Sequence, residues 1–571
     1  MAEPLPDSPE IFMQWTWADL EPHYQALLDR PLSATNVAGW LADWTRISDL
    51  ASEIYARLNV TVTIDTTDET AEARYNTYLD SVHPQVQAAE QRLKQALLAS
   101  GLEPEGFENP LRKMRTEAAI FRQENLPLLS EERKLASAYN KIIGAQTIEW
   151  EGEELTLQQM RRVFENPERS LREKAWRLAA GRQLADRQAI NAGWQQMLDL
   201  RRRLAANAGF ADYRSYRWQQ MLRLDYTPED CLQFQQAIEQ VVVPAATRLY
   251  ARHSQQMGVD SLRPWDLDQD LYPLEMPALA AYGSVDDLAI KAQAAFERLD
   301  PELGANFRLM REENLLDLPN RKGKAPGAYC TSFAVSRKPF VFMNAVGLAG
   351  DVRTILHESG HAFHNFERLR LPYAQQRIPG LEFAEVASMA MELLAAPFLD
   401  AGPLGFYAPQ EARRFRIQHL EHILFFWPYM AVVDAFQHWA YTHPEQAANP
   451  ANCDACWLDL WLRYLPGVDW RGLEQEAMTG WHRKQHIHRY PFYYVEYGLA
   501  QLGAVQVWRN ALQDPAAALT SYRQALTLGG TRSLPELYAA AGAKFAFDAE
   551  TLLQAVTLIE STLHSLEQAA A

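Results

Sequence analysis

Cysteine is scarce in this chain: four in 571 residues, too few for the disulfide framework that holds small secreted domains together. Positive charge is short as well. Lys and Arg number 55 against 72 Asp and Glu, a net charge of −17. The basic runs, such as Arg201-Arg202-Arg203, are brief and sit inside helical patterns. A phosphate backbone asks for the opposite balance, so nucleic acid is not an expected partner. Long apolar runs are missing too. The most apolar stretch, Ile423 to Val433, is broken by Pro428 and followed by Asp434, too short to span a bilayer. The first residues lack the basic and apolar segments of a signal peptide. Together these absences predict a cytoplasmic protein with no membrane partner. Cys453 and Cys456 have redox-pair spacing, but one such pair outside a βαβ context carries little weight.

What is present is an ordinary globular composition, 48% apolar, in a chain longer than one hydrophobic core usually supports. Two or more lobes are expected, with a cleft as the natural place for a site. Residues 1–110 read as an N-terminal helical region without chemical motifs; Val60 to Ile64 alternates like a strand but also fits a helix end. A second helical region covers 111–195, with a hairpin about Gly152, and the remainder, 196–571, carries the chemistry. Pro-rich connections run from Pro264 to Pro277. A Gly-bearing loop at 320–330 precedes a strand at Pro339 to Asn344, and Gly350 and Asp351 then open a helix. The fold class expected is mostly α with minor antiparallel β.

That helix holds His357-Glu358-Ser359-Gly360-His361. Positions i and i+4 share a helix face, so His357 and His361 can turn two imidazole nitrogens to one metal ion. Glu358, next to the first histidine, can act as general base on a metal-activated water. Two histidines leave a zinc ion short of ligands, and no His-x-x-Gly-x-x-His continuation follows His361. Carboxylates on the next helix, Glu382, Glu385 and Glu392, are the candidates. Glu385 and Glu392 lie two turns apart on one face; we read Glu385 as the third ligand and Glu392 as a partner that orients a ligand histidine. Glu382 falls on another face. His364 reads as a packed neighbour, and His419 with His422 as an exposed charged helix face.

A second cluster comprises His482, His486, His488, Tyr490, Pro491, Tyr493, Tyr494 and Tyr497. Acyl transfer develops a negative oxygen, and phenol or imidazole donors can receive it. Tyr490 and Tyr497 share a face if the stretch is helical, with Pro491 in its first turn. Tyr493 and Tyr494 read equally well as packing.

These motifs resemble the M3 zinc oligopeptidases, and within them the oligoendopeptidase F branch. The resemblance rests on His357 to His364, on Phe383-Ala384-Glu385-Val386-Ala387-Ser388, and on Arg489 to Tyr497, with Gly327 to Cys330 and Leu528-Gly529-Gly530 in support. It implies a two-lobed clamshell with a deep substrate channel, a helical region at 111–195 like the oligopeptidase F N-terminal domain, one zinc per chain, and endopeptidase action on short peptides. By position, His357, His361 and Glu385 would bind zinc, and Glu358 would activate water. Tyr490 and Tyr497 would contact substrate, with His486 beside them. In the thimet-type branch that histidine's register falls on Gln485. A zinc carboxypeptidase and a non-catalytic helical peptide-binding protein are the alternatives.

Overall fold

A computed structural model describes residues 5–568 apart from 158, 165, 269–271, 275–278, 326 and 401. The chain is mostly helical with small sheets, and divides into two compact units that are each discontinuous in sequence. The first combines residues 1–118, 279–412 and 503–545; the second combines 119–278, 413–502 and 546–571. The Pro-rich connection expected after Pro264 lies partly outside the described residues.

The first unit begins with an aromatic core. On the helix Val37–Ile64, Trp40 and Trp44 are fully buried and meet edge to face, with centroids 5.0 Å apart. The 3.6-residue spacing of Trp40, Trp44, Ile47, Ile54 and Leu58 sets this helix, and it absorbs the strand-like Val60 to Ile64. The Thr61 and Thr63 hydroxyls there donate back to the carbonyls of Arg57 and Asn59 at 2.8 and 3.0 Å. Buried Glu53, from the same helix, accepts the backbone N–H groups of Val335 and Ser336 at 2.7 and 2.9 Å and pairs with Arg57. A buried carboxylate so answered is satisfied, and it docks the turn after residue 333 on the helix.

Five strands are described. Strands β1 (Thr147–Trp150) and β2 (Glu153–Thr156) form the expected hairpin in the second unit. Glu151 and Gly152 take φ +53° and +86°, the left-handed pair that a two-residue turn needs. In the first unit, β3 (Leu316–Pro319), β4 (Tyr329–Phe333) and β5 (Lys338–Ala345) pair in the order β3-β5-β4. The expectation of antiparallel β is therefore corrected in part: β4 runs antiparallel to β5, but β3 runs parallel to it. The unbroken apolar run Phe340 to Met343 explains why β5 is central, since both its faces are covered. Tyr329 and Cys330, read as loop, open β4, where Tyr329 stacks on Phe342 at 4.8 Å. The sheet packs against the histidine-bearing helix, Ala349–Arg368.

The second unit is built around long helices. Thr227 caps Pro228–Gln256, its hydroxyl accepting from the Asp230 backbone N–H at 3.3 Å while the Asp230 carboxylate takes the Thr227 N–H at 2.7 Å. The helical tract from residue 169 is two helices, Arg169–Ala185 and Arg187–Asn207, that part at Asp186. His419 is buried on Pro409–Thr442, so the exposed-face reading is corrected for that residue.

Candidate metal centre

The histidine helix starts where Asp351 places it. One oxygen of its carboxylate accepts the backbone N–H groups of Val346, Gly347 and Leu348 at 2.8–2.9 Å, and the Tyr282 hydroxyl at 2.6 Å. Three orphan donors are satisfied at once, and negative charge sits in the first turn, where the helix dipole favours it. One turn and a half later His357 and His361 emerge on one face, their rings perpendicular with centroids 5.0 Å apart.

Against this face lies the helix Leu381–Ala395. The two pack closely at Gly360, where a Cβ would stand 2.6 Å from the Ala387 carbonyl oxygen and 2.6 Å from the Ser388 Cα. That approach brings Glu385 to the histidines. Its carboxylate lies 3.4 Å from His357 Nε2 and 3.6 Å from His361 Nε2, and all three donor atoms fall within 4.8 Å of one another. Donors about 2.1 Å from a shared tetrahedral centre lie roughly 3.4 Å apart, so these residues fit one small ion. Glu392 bonds the far nitrogen of His357, Nδ1, at 2.7 Å, leaving Nε2 to face Glu385. Ser388 donates to the Glu385 carboxylate at 3.1 Å.

The electrostatics of the cluster differ from group to group. Burial lowers the His357 pKa, but its hydrogen bonds to the Glu385 and Glu392 carboxylates outweigh it and hold the imidazole well above its ordinary 6.5. His361, where burial prevails, is pushed down to about 4. Burial would raise the Glu385 carboxyl, yet the two histidines hold it below the usual range. Burial pushes Glu358 up to about 7. One of its oxygens, Oε2, is enclosed with no hydrogen-bond partner among the described residues, an uncommon state for a buried carboxylate. His364 stays outside the set, buried and edge-on to Phe383. If Glu392 orients His357, Glu392→Gln should weaken zinc binding about 10- to 100-fold; competition against a zinc-binding dye checks this, and unchanged affinity would remove Glu392 from the site.

The tyrosine segment, in the second unit, departs from the sequence expectation. It is not one helix. Gln485–His488 is a short helix, Tyr494–Gln513 is another, and Tyr490 and Pro491 sit in the turn between them. Tyr490 and Tyr497 therefore share no helix face. They meet at His486 instead, whose ring centroid lies 6.2 Å from Tyr490, 6.1 Å from Tyr497 and 4.8 Å from Tyr494. Burial pushes the His486 pKa down to about 3, so it is neutral at pH 7. The turn is clamped: Arg201 reaches the carbonyls of Ile487 and His488, Arg217 that of Pro491, and Arg223 that of Phe492. Phe492 itself has φ +65°, unusual for a bulky residue, and donates its N–H to Gln437 at 2.7 Å. No local signal in the sequence marks these arginines, whose partners lie more than 250 residues along the chain.

His482 and His488 face the core. His488 stacks on Tyr139 at 4.3 Å and bonds the Trp481 carbonyl at 3.2 Å. Burial pushes them down to about 2 and about 3 from an ordinary 6.5. Between pH 6.5 and 3 the unfolded chain takes up protons that the folded unit refuses. Stability from these two groups is complete above pH 6.5 and falls with pH through that window, by up to about 1.4 kcal/mol per pH unit for each. The urea midpoint followed by tryptophan fluorescence should drop from pH 6.5 to 5.5; a flat midpoint would contradict their burial as neutral groups. Cys453 and Cys456 lie on Pro450–Tyr464, where burial pushes both thiols up to about 12, so neither is a reactive thiolate at neutral pH.

Residues 162–557 match the family model for peptidase family M3, and residues 11–114 match a peptidase M3 N-terminal domain. The latter covers the region in which no motif is readable. Oligopeptidase PepF of Bacillus subtilis (strain 168) is 23% identical over 330 residues, 57% of this chain and 47% of that protein. The chromosomal oligoendopeptidase F of Lactococcus lactis subsp. cremoris is 31% identical over 103 residues, 18% of this chain and 17% of that one. The aligned spans thus cover less than half the length of these curated relatives. Solved structures match along the whole chain. A 3.1 Å X-ray structure assigned as an oligoendopeptidase F is 29% identical, with a TM-score of 0.89 and all of both chains covered. PZ peptidase A, solved with an inhibitor, is 28% identical with a TM-score of 0.87, over 97% of this chain and 99% of that one. With its helix pair, its His-Glu-x-x-His spacing and a family match over more than half its length, the chain belongs to peptidase family M3.

Proposed function

We propose that the chain is a zinc metallo-endopeptidase that hydrolyses internal bonds of short oligopeptides, with one zinc per chain and a cytoplasmic location. The observation that carries this is the convergence of His357, His361 and Glu385 beside the unpartnered Glu358 oxygen. The names of the relatives support the substrate class, and among the described residues no helix is long and apolar enough to cross a membrane.

His357, His361 and Glu385 would hold the zinc, which acidifies a water and polarises the scissile carbonyl when bound. Glu392 fixes the His357 ring through Nδ1. Glu358 takes the water proton as the C–O bond forms, then returns it to the amide nitrogen as the C–N bond breaks. Tyr490 and Tyr497 donate phenol protons in hydrogen bonds to the carbonyl oxygen as it gains charge, and neutral His486 supports or joins them. The sheet leaves β4 at an edge, where an extended substrate backbone could add as a strand. The two-lobed clamshell with a deep channel, and a catalytic domain spanning 196–571 after helical regions 1–110 and 111–195, belong to the same proposal.

Mass spectrometry of products from a peptide library of graded length, with and without chelator, tests it. Internal cleavage that chelator stops and zinc restores is expected. Removal of C-terminal residues alone would instead mark a carboxypeptidase, and no cleavage a binding protein.

A further inference from the structure

The second unit contains a cavity of about 500 Å3 whose role the metal site does not account for. Trp176, Trp265, Trp461 and Trp470 wall it, together with Tyr429. The indoles hold one another edge to face, with centroids 5.5–6.0 Å apart, so the wall is rigid and apolar. Trp265, Trp461 and Trp470 also carry buried indole N–H groups that meet no acceptor among the described residues, an uncommon state for three neighbours.

Among the charged side chains of the lining, three are cations (Arg172, Arg483 and Lys484) and one is an anion (Asp268). Arg172 is answered by Asp266 at 3.0 Å, and Asp268 receives the Tyr272 backbone N–H at 2.8 Å. Arg483 is different. Its guanidinium donates to the neutral Gln183 amide oxygen at 3.1 Å and forms no ion pair with a carboxylate among the described residues. Burial draws its pKa down, the mark of a cation short of compensation. Beside it the Lys484 ammonium lies 3.8 Å above the Tyr494 ring and 4.8 Å above Tyr429. Tyr494 in turn packs on His486, so the cationic end of the cavity adjoins the tyrosine group.

A half-buried guanidinium without an ion-paired carboxylate among the described residues, in the lining of an indole-walled cavity, matches a ligand with one carboxylate and one large apolar side chain. We propose that this cavity binds such a carboxylate, Arg483 taking the acid and the indole wall taking the side chain. Two sources share that chemistry: the free C-terminus of a peptide, and a free N-acyl amino acid. The peptide source rests on the peptidase reading above; the free acid does not.

The test uses the full-length, zinc-loaded protein and two probes, N-acetyl-L-phenylalanine and its amide, with tryptophan fluorescence as a readout independent of hydrolysis. The acid should bind at least about tenfold more tightly than the amide. Arg483→Gln should abolish that preference, and Arg483→Lys should restore part of it. Equal binding of acid and amide, no fluorescence response, or a preference that survives Arg483→Gln would overturn the proposal. The wild-type comparison decides the matter even if the Gln variant fails to fold. A pair of internally quenched peptides ending in Phe acid or Phe amide then separates the sources. A KM about tenfold lower for the acid assigns the peptide terminus; equal KM values with the acid probe still bound assign the free acid. Hydrolysis of neither peptide would sink the peptidase reading and leave the fluorescence result standing.

Discussion

Replacing Glu358 with Gln should leave the zinc bound and lower turnover by about a thousandfold. The two halves of that result come from different features of the site. Retention of metal is expected because the proposed donor set is His357, His361 and Glu385, whose donor atoms cluster without Glu358. Gln has the same shape as Glu, so the helix packing around residue 358 is unchanged. Loss of turnover follows because an amide cannot take a proton from water and return it to the leaving nitrogen. The carboxylate is placed for that exchange: it is buried, with one oxygen unpartnered, and burial pushes its pKa up to about 7. A base with a pKa near the working pH accepts and releases a proton most readily. Bound zinc adds positive charge beside it, which favours the ionised form and moves the acid limb of the rate profile below pH 7. Activity should therefore fall as pH drops below neutrality, and the Gln variant should show no such limb. Near-native turnover in Glu358→Gln would remove Glu358 as the base.

Gly360→Val should cost the protein both its metal and its stability. Glycine inside a helix is ordinarily a liability of about 1 kcal/mol against alanine, so a side chain here should help if nothing opposed it. What opposes it is backbone. A Cβ at 360 would sit 2.6 Å from the Ala387 carbonyl oxygen and 2.6 Å from Ser388 Cα, with Met391 Cβ at 3.0 Å. Backbone atoms on a buried helix cannot swing aside as a side-chain tip can. The Ala387 carbonyl is also fixed by the Tyr522 hydroxyl, which donates to it at 2.6 Å. The helices must part, and overpacking of this kind costs roughly 3 kcal/mol, which exceeds the helical gain. Parting them also carries Glu385 away from the histidines, so zinc affinity should fall with stability. Thermal unfolding with and without added zinc measures both. A Val variant that keeps its melting temperature and its metal would show that the close approach at Gly360 is dispensable.

The legible part of the site is the part that lies within a few helical turns. His357, Glu358 and His361 declare themselves through spacing alone, and Glu385 and Glu392 follow from a carboxylate pair on one face of the next helix. Gly360 is visible inside the motif, but nothing in the sequence says that it approaches Ala387 and Ser388. The tyrosine segment shows where local reasoning ends. Heptad spacing suggested a shared face for Tyr490 and Tyr497. Phe492 breaks it with a left-handed backbone, held by Arg223 and Gln437, and neither lies close in sequence. The same holds for the fold. Caps at Thr227, Ser284 and Asp300 are local, and the helices begin where those residues stand. The parallel pairing of β3 with β5 and the assembly of each unit from three separate stretches of chain depend on long-range contacts, which periodicity does not encode. Val60 to Ile64 shows the converse, a β-branched stretch overruled by the tryptophan stripe of its own helix.

On the proposed mechanism, one zinc ion held by His357, His361 and Glu385 is required for peptide hydrolysis. The most direct test is to strip the metal, add zinc back in measured steps, and follow cleavage of a single end-blocked peptide alongside bound zinc per chain. An internal cut is expected whose rate rises in proportion to bound zinc and levels off at one equivalent. A rate that persists in the stripped protein, or that keeps rising well past one equivalent, would contradict it.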